Sequence, residues 1–441
     1  MVGRFDNIHP GLSCDKARNI LGLPVDRLES QSDLYMAAAH LINCPCIETE
    51  KALVGLLEKD SSEQAVLIAK RKAVDTLARL ECLDAIPAIG QCLYSRDAYL
   101  VENAAWALRQ LGCPSKKLHD QMISLLNDSS QNRRILIQSL AGLNVVQALD
   151  SISRFRQDSS PGVRGAAISA ATALSGEASG LDVLAEHLLL PNQMDRQCAV
   201  QDIIDAKADS LMPDVLKAPV SPVFRMRALR LLFPTNQLEK PSKQVIGWVD
   251  LVIQDDPFHL ELVHQYDQDP EVKFLVSELF NPDFSRCYLA LRALLAQPAE
   301  CLFPVLHDAW EREAHNDYGA HYFFVRLFGL KPSWDASARD WIIPLLVDAV
   351  TNPRPQFLKS CHAAVLSLAA LEPRVLLELL PGLFNGRARV GWEVRYTIAV
   401  ALPLLKSVDH SGVSHQFNQR LLADPDGYVS CRSGLSIDGP S

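Results

Sequence analysis

The densest run of reactive side chains in the 441-residue sequence is His307-Asp308-Ala309-Trp310 followed by His315-Asn316-Asp317-Tyr318-Gly319-Ala320-His321-Tyr322. Asp308 and Asp317, three imidazoles and two phenols fall within sixteen residues. Groups of these types have ordinary pKa values from about 4 to about 10, so proton transfer is the chemistry they suit best. Tyr318, with Asp317, His315 and His321 close by in sequence, is the candidate for a proton relay. A metal centre is one rival reading. The histidines stand eight and six residues apart, however, and neither H-x-x-x-H nor H-E-x-x-H occurs. A structural loop with a helix-capping Asp and incidental histidines is the other. Cys44-Pro45-Cys46 lacks the second matching pair that a zinc site normally shows. It reads as structural or incidental, with a reactive thiol as the alternative. The eleven cysteines are odd in number and scattered through helical segments, so they read as buried thiols and not as a disulfide framework. No metal is expected.

The elements that must carry these residues repeat. RKAVDTLARLEC (71–82) and ENAAWALRQLGC (102–113) align without a gap, and RRILIQSLAGLN, VRGAAISAATALSG and RQCAVQDIIDAKA continue the series. One apolar triplet recurs as Ala73/Leu77/Leu80, Ala104/Leu108/Leu111, Leu136/Leu140/Leu143, Ala167/Ala171/Leu174 and Ala199/Ile203/Ala206, in steps of 31, 32, 31 and 32 residues. Spacing of i, i+4, i+7 lays each triplet on one face of an α-helix. Shorter apolar helices and Asp/Ser/Pro turns alternate with these, and no strand pattern appears. The spacing therefore predicts an all-α, HEAT-like (Armadillo-type) α-α superhelix solenoid, in which stacking supplies the core that one helix pair lacks. Expected divisions are an N-terminal cap over 1–30, regular repeats over 31–235, divergent repeats over 236–432 and a flexible tail over 433–441. In the divergent part, helix pairs are predicted at 299–312 with 319–330, 339–350 with 356–371, and 373–384 with 391–406.

At about 100° per residue, the position two after each triplet's first member points away from the core. Those positions are Asp75, Trp106, Gln138, Ser169 and Gln201. Trp106 is the anomaly in a polar row, and Glu102 and Arg109 share its side. The same construction turns Tyr318 and Tyr322 outward from Ala320/Phe324/Leu327, and Trp392 and Tyr396 outward from Val394/Ile398/Ala401. Aromatic side chains on a face that is elsewhere polar suggest a binding cavity for a planar, partly charged ligand.

Composition narrows the classes. A formal net charge of −9 disfavours nucleic acid as a partner. No run of about 18 apolar residues is present to span a membrane, and the start, MVGRFDNIHPGLSCDK, lacks a signal peptide's apolar core. A cytoplasmic protein is expected.

Tyr99 to Gly112, YLVENAAWALRQLG, set in repeats of about thirty residues, resembles the phycobilin lyases of the E/F type. The segments HNDYGAHYF and GWEVRYTIA make the chain most similar to the single-chain phycoerythrin lyases and lyase-isomerases of marine cyanobacteria. The resemblance implies attachment of phycoerythrobilin, by a thioether bond, to a cysteine of the apo-phycoerythrin α subunit, with isomerisation to phycourobilin in some members. It implies no cofactor, since the bilin is substrate. The His/Cys motif N-H-C-Q-G-N of the two-chain isomerases is absent, which leaves the 315–321 segment as the place for that step. On this reading Trp106, Tyr322 and Tyr396 stack on pyrroles, Trp392 joins them among the substrate-binding residues, Arg109 and Arg395 pair with propionates, and Glu102 or Asp317 accepts pyrrole N–H bonds. A non-catalytic HEAT-repeat adaptor or chaperone for phycobiliproteins is the alternative.

Overall fold

The computed structural model describes residues 11–235, 240–352, 354–385 and 390–435. Among these every regular element is helical. Residues 1–10 of the expected cap and 436–441 of the expected tail lie outside the described residues, while 433–435 end the Gly427–Leu435 helix. The chain divides into two compact units, Met1–Gly180 and Leu181–Ser441.

In the first unit the helices Asp33–His40, Gln64–Arg79, Ala98–Gln110, Arg133–Gly142 and Pro161–Ser175 stack one on the next. Each of the last four also packs on a preceding helix, Ile47–Glu58, Ile86–Gln91, Lys116–Leu125 and Leu149–Ser153, which is shorter in every pair but Lys116–Leu125 with Arg133–Gly142, where the two are equal. The first two members of every predicted triplet are buried. Alanine at many of these positions keeps the contact surfaces shallow, so neighbouring helices can approach closely. Capping joins the repeats. Asp97 accepts from the backbone N–H of Tyr99 and also takes a two-bond contact, 2.8 and 2.9 Å, from Arg71 of the preceding long helix. The helices end alike as well. Glu81, Gly112, Asn144, Gly176 and Lys207 all have positive φ, spaced at the repeat period. At four of them the next residue's N–H returns to the carbonyl five residues earlier, as in Cys82 to Leu77 and Cys113 to Leu108.

The second unit runs from the Gln193–Asp205 and Pro222–Leu232 helices into the stack Phe284–Ala296, Tyr318–Leu330, Leu358–Leu371, Trp392–Leu405 and Gly427–Leu435. The predicted pairs appear as Ala299–Ala309 with Tyr318–Leu330, Ala336–Thr351 with Leu358–Leu371, and Pro373–Asn385 with Trp392–Leu405. One element departs from simple stacking: Lys243–Gln254 packs across the Leu358, Trp392 and Gly427 helices. It covers the very face that the repeat register leaves open.

The cysteine reading needs correction. Cys14 and Cys44 form a disulfide, and Cys46 and Cys301 are exposed. Sequence spacing could not reveal the bond, because its ends, 30 positions apart, are brought together only by packing of the first helices.

Two glycines separate conformational from steric demand. Gly112 has φ +62° and open space around it, so Gly112→Ala should cost about 1 kcal/mol from backbone strain alone. Gly329 lies where the Tyr318 and Leu358 helices touch, and an added Cβ would sit 2.6 Å from the Cα of Ser367. Gly329→Ala should therefore cost about 2–3 kcal/mol, since backbone must move. Urea unfolding of both variants measures the difference.

Candidate functional site

The reactive run is held by helix starts. One π-helical turn, Trp310–Ala314, leads into it. Asp317 then caps the Tyr318–Leu330 helix, its carboxylate accepting from the N–H groups of Gly319 and Ala320, both at 2.8 Å. His315 sets its Nδ1 2.9 Å from the carbonyl of Trp310. His321 is buried, with Nδ1 2.9 Å from Ser360 Oγ and its ring 5.0 Å from Trp310 and 4.6 Å from Phe357. Burial, followed by the positive charges of Arg354 and Lys359, pushes its imidazole down to about 4. Asp317, His315 and His321 thus each hold a contact in local structure. Tyr318 itself is 63% exposed, and the group facing its ring is Lys359, with Nζ 5.1 Å from the ring centroid.

Tyr322 and Tyr396 were expected to face outward; both are fully buried. The Lys243–Gln254 helix and the Asp255 that ends it meet their hydroxyls. The Tyr396 hydroxyl donates to Asp250 at 2.7 Å, and the Tyr322 hydroxyl donates to Asp255. Asp255 also accepts from Arg225 and from the Tyr288 hydroxyl. Burial opposes its charge, but Arg225 and Arg326, with the Tyr322 hydrogen bond, outweigh that and hold the carboxyl below its ordinary range. Burial and the neighbouring Asp255 charge raise the Tyr322 and Tyr288 phenols well above theirs. Arg395 is likewise committed: it makes two bonds to Asp424, 2.7 and 3.0 Å, and a third to the carbonyl of Val390. The expectation that it waits for a ligand carboxylate is corrected by that pairing. Trp106, Glu102 and Arg109 belong to the first unit and are half-buried. Trp106 packs against that unit's core, and the Arg109 stem lies over Gly142, where an added Cβ would meet Arg109 Cδ at 2.8 Å.

Trp392 is an expected residue that lines a cavity. The space, about 340 Å³, lies between the Pro222, Leu358 and Trp392 helices and is walled by Met226, Arg230, Ile253, Lys359, His362 and Trp392, among others. Arg230 lies 4.2 Å over the Trp392 ring and pairs with Asp426 at 3.0 Å, which fixes the indole as one wall. Lys359 is ringed by aromatics, with Phe284 at 5.1 Å and Tyr322 at 5.4 Å besides Tyr318. Among the described residues no carboxylate forms an ion pair with it, and burial pushes its ammonium down to about 8. Burial also pushes His362 down to about 4 and raises the Glu393 carboxyl. The chemistry offered is a flat indole, an apolar floor and one cation without a carboxylate partner. Lys359 and His362 escaped sequence reading. Their signal is two basic residues at the start of a helix that is otherwise apolar and small, Leu358–Leu371.

The two buried histidines set an acid limit. Both fall from an ordinary 6.5 to about 4 in the folded chain. The unfolded chain therefore takes up protons first, and stability should decline as pH drops from about 6.5 toward 4. His362→Gln should flatten that decline in urea unfolding midpoints measured across the range.

Residues 79–112 match the model of the Armadillo/beta-catenin-like repeat. The "Bilin biosynthesis protein CpeY" of Synechococcus sp. (strain WH8020) is 43% identical over 410 residues, covering 93% of this chain and 98% of that protein. The "Uncharacterized phycocyanin operon protein Y" of Pseudanabaena tenuis (strain PCC 7409) is 35% identical over 408 residues, 91% of this chain and 93% of that one. Among solved structures, the complex of CpcE and CpcF of phycocyanin lyase from Nostoc sp. PCC7120 aligns over 57% of this chain and 98% of its own, at 22% identity and a TM-score of 0.48. Sequence identity sustained along nearly the full length of both chains shows that this protein belongs to the CpeY family of bilin biosynthesis proteins.

Proposed function

We propose that the chain is a bilin lyase that joins phycoerythrobilin through a thioether bond to a cysteine of the phycoerythrin α subunit, and that it isomerises the product to phycourobilin. The observation that carries the reading is the Trp392–Lys359 cavity in a member of this family. At about 340 Å³ it is at the small end of ligand pockets, which run from about 300 to 1,000 Å³. It therefore takes one end of an open-chain tetrapyrrole and leaves the remainder within reach of a partner's thiol. Trp392 stacks on a pyrrole, and Lys359 in its charged form pairs with a propionate.

Attachment is addition of S–H across the ring A ethylidene double bond. The S–C bond forms, the π bond breaks, and the thiol proton passes to the neighbouring carbon, with no oxidant or reductant needed. Isomerisation adds one proton at the methine bridge beside ring A and removes one from ring A. Tyr318, exposed and beside the Lys359 amine, is the candidate to exchange these protons.

Co-expression with a phycoerythrobilin pathway and the apo-α subunit, read by absorbance and mapping of the modified peptide, tests the activity. A bilin adduct is expected. No adduct where a control lyase works would overturn the enzyme reading, and bilin-independent binding of the subunit would then favour an adaptor. Tyr318→Phe should keep attachment and lose isomerisation.

Binding should also depend on pH. The ammonium of Lys359 is present below about 8 in the free protein, so affinity for a bilin with free propionates should fall as pH rises past that value. Absorbance titration measures it, and Lys359→Gln should bind more weakly at neutral pH and lose the dependence.

A further inference from the structure

A cluster of soft donor groups lies in the first unit and takes no part in the cavity chemistry. Cys14, His40 and Cys44 each offer one ligand atom, and those three atoms lie within 4.8 Å of one another. Cys14 and His40 are half-buried and Cys44 is buried. Three separate backbone features hold them. Cys14 is the first residue of the Cys14–Gly22 helix, which Ser13 caps. His40 ends the Asp33–His40 helix. Cys44 follows the short turn Leu41–Asn43, with its N–H bonded to the carbonyl of Leu41 at 3.0 Å. Cys46, the sequence neighbour of Cys44, stands apart, its sulfur 3.3 Å from both Thr49 Oγ1 and an Arg18 nitrogen.

We propose that Cys14, His40 and Cys44 bind one zinc ion in the reduced protein, and that the Cys14–Cys44 disulfide is the oxidised, metal-free form of the same site. Two thiolates and one imidazole are a ligand set that zinc accepts, with a fourth position for water. The Cα atoms of the two cysteines are 5.9 Å apart, a separation that bridging by one metal also permits. The interconversion balances. A dithiol or phosphine reductant gives two electrons to the disulfide, which takes up two protons. Zinc then displaces both thiol protons and binds the neutral imidazole.

The test uses the full-length chain, oxidised or reduced with a phosphine, titrated with zinc against a chromophoric chelator. Reduced protein should bind one equivalent more than oxidised protein does. The nine other cysteines remain as background, which a Cys14→Ser/Cys44→Ser variant measures. His40→Gln should bind the extra equivalent at least roughly ten-fold more weakly. Cobalt(II) should give thiolate-to-metal absorption in reduced wild type that the double variant lacks. Equal zinc uptake by reduced and oxidised wild type would overturn the proposal even if the double variant fails to fold. Undiminished affinity in His40→Gln would overturn it too, since the imidazole would then not be a ligand.

Discussion

The Asp255 carboxylate is 1% exposed, and a charge so placed is tolerable only among donors. It ends the Lys243–Gln254 helix in the left-handed region, φ 42°, which turns its side chain into the body of the second unit. Arg225 reaches it from the Pro222 helix, Tyr288 from the Phe284 helix and Tyr322 from the Tyr318 helix. One carboxylate therefore fixes four helices that repeat stacking alone would not bring together. Losing one partner of such a buried pair leaves the other charge stranded, at a cost of about 3–5 kcal/mol. That asymmetry makes the arrangement specific as well as stable.

The cavity depends on this network. Two of its walls, the Pro222 helix and the Lys243–Gln254 helix, are held by Arg225 and Asp255. The Trp392 helix is held to the second of them by Tyr396 and Asp250. Lys359 shares the Tyr322 ring with the network but forms no ion pair among the described residues. Asp255 and Asp250 are thus consumed in structure, and Lys359 is left beside a largely apolar space that the Glu393 carboxyl also lines. An anionic, flat ligand is what such a space favours.

Nearest-neighbour chemistry was legible in the sequence; long-range contact was not. Ala104, Leu108 and Leu111 announce a helix face, and all three are buried as the register requires. The register turns Tyr322 and Tyr396 toward solvent, yet both are buried. Whether a side chain meets water there depends on what else occupies the space, and for Tyr396 the occupant is a residue 146 positions away. A period of about thirty residues carries no information on that. Trp392, which lines the cavity, stands out in the sequence because it breaks a pattern. Lys359 was missed because a lone lysine at a helix start fits the pattern of a solvated end, and only packing by Phe284, Tyr318 and Tyr322 makes it unusual.

The two units consequently hold themselves together on different terms. In the first, contacts run mainly between adjacent repeats, through alanine faces, left-handed helix ends and links such as Arg71 to Asp97, so stability is close to a sum of neighbouring terms. In the second, Arg230 pairs with Asp426 across 196 residues and the Tyr428 hydroxyl reaches the carbonyl of Phe233 across 195. Closing such loops is entropically costly and rewarded only when the whole unit is in place, so it folds as one body and not repeat by repeat. A stack of repeats flexes a little at every interface, whereas a unit tied end to end cannot open one wall without losing buried polar contacts elsewhere. On the proposed function, a site that holds a flexible chromophore in one conformation gains from that rigidity. The position of the cavity follows: it lies against helices tied by these long-range contacts, with Arg230 forming both its wall and one of the ties.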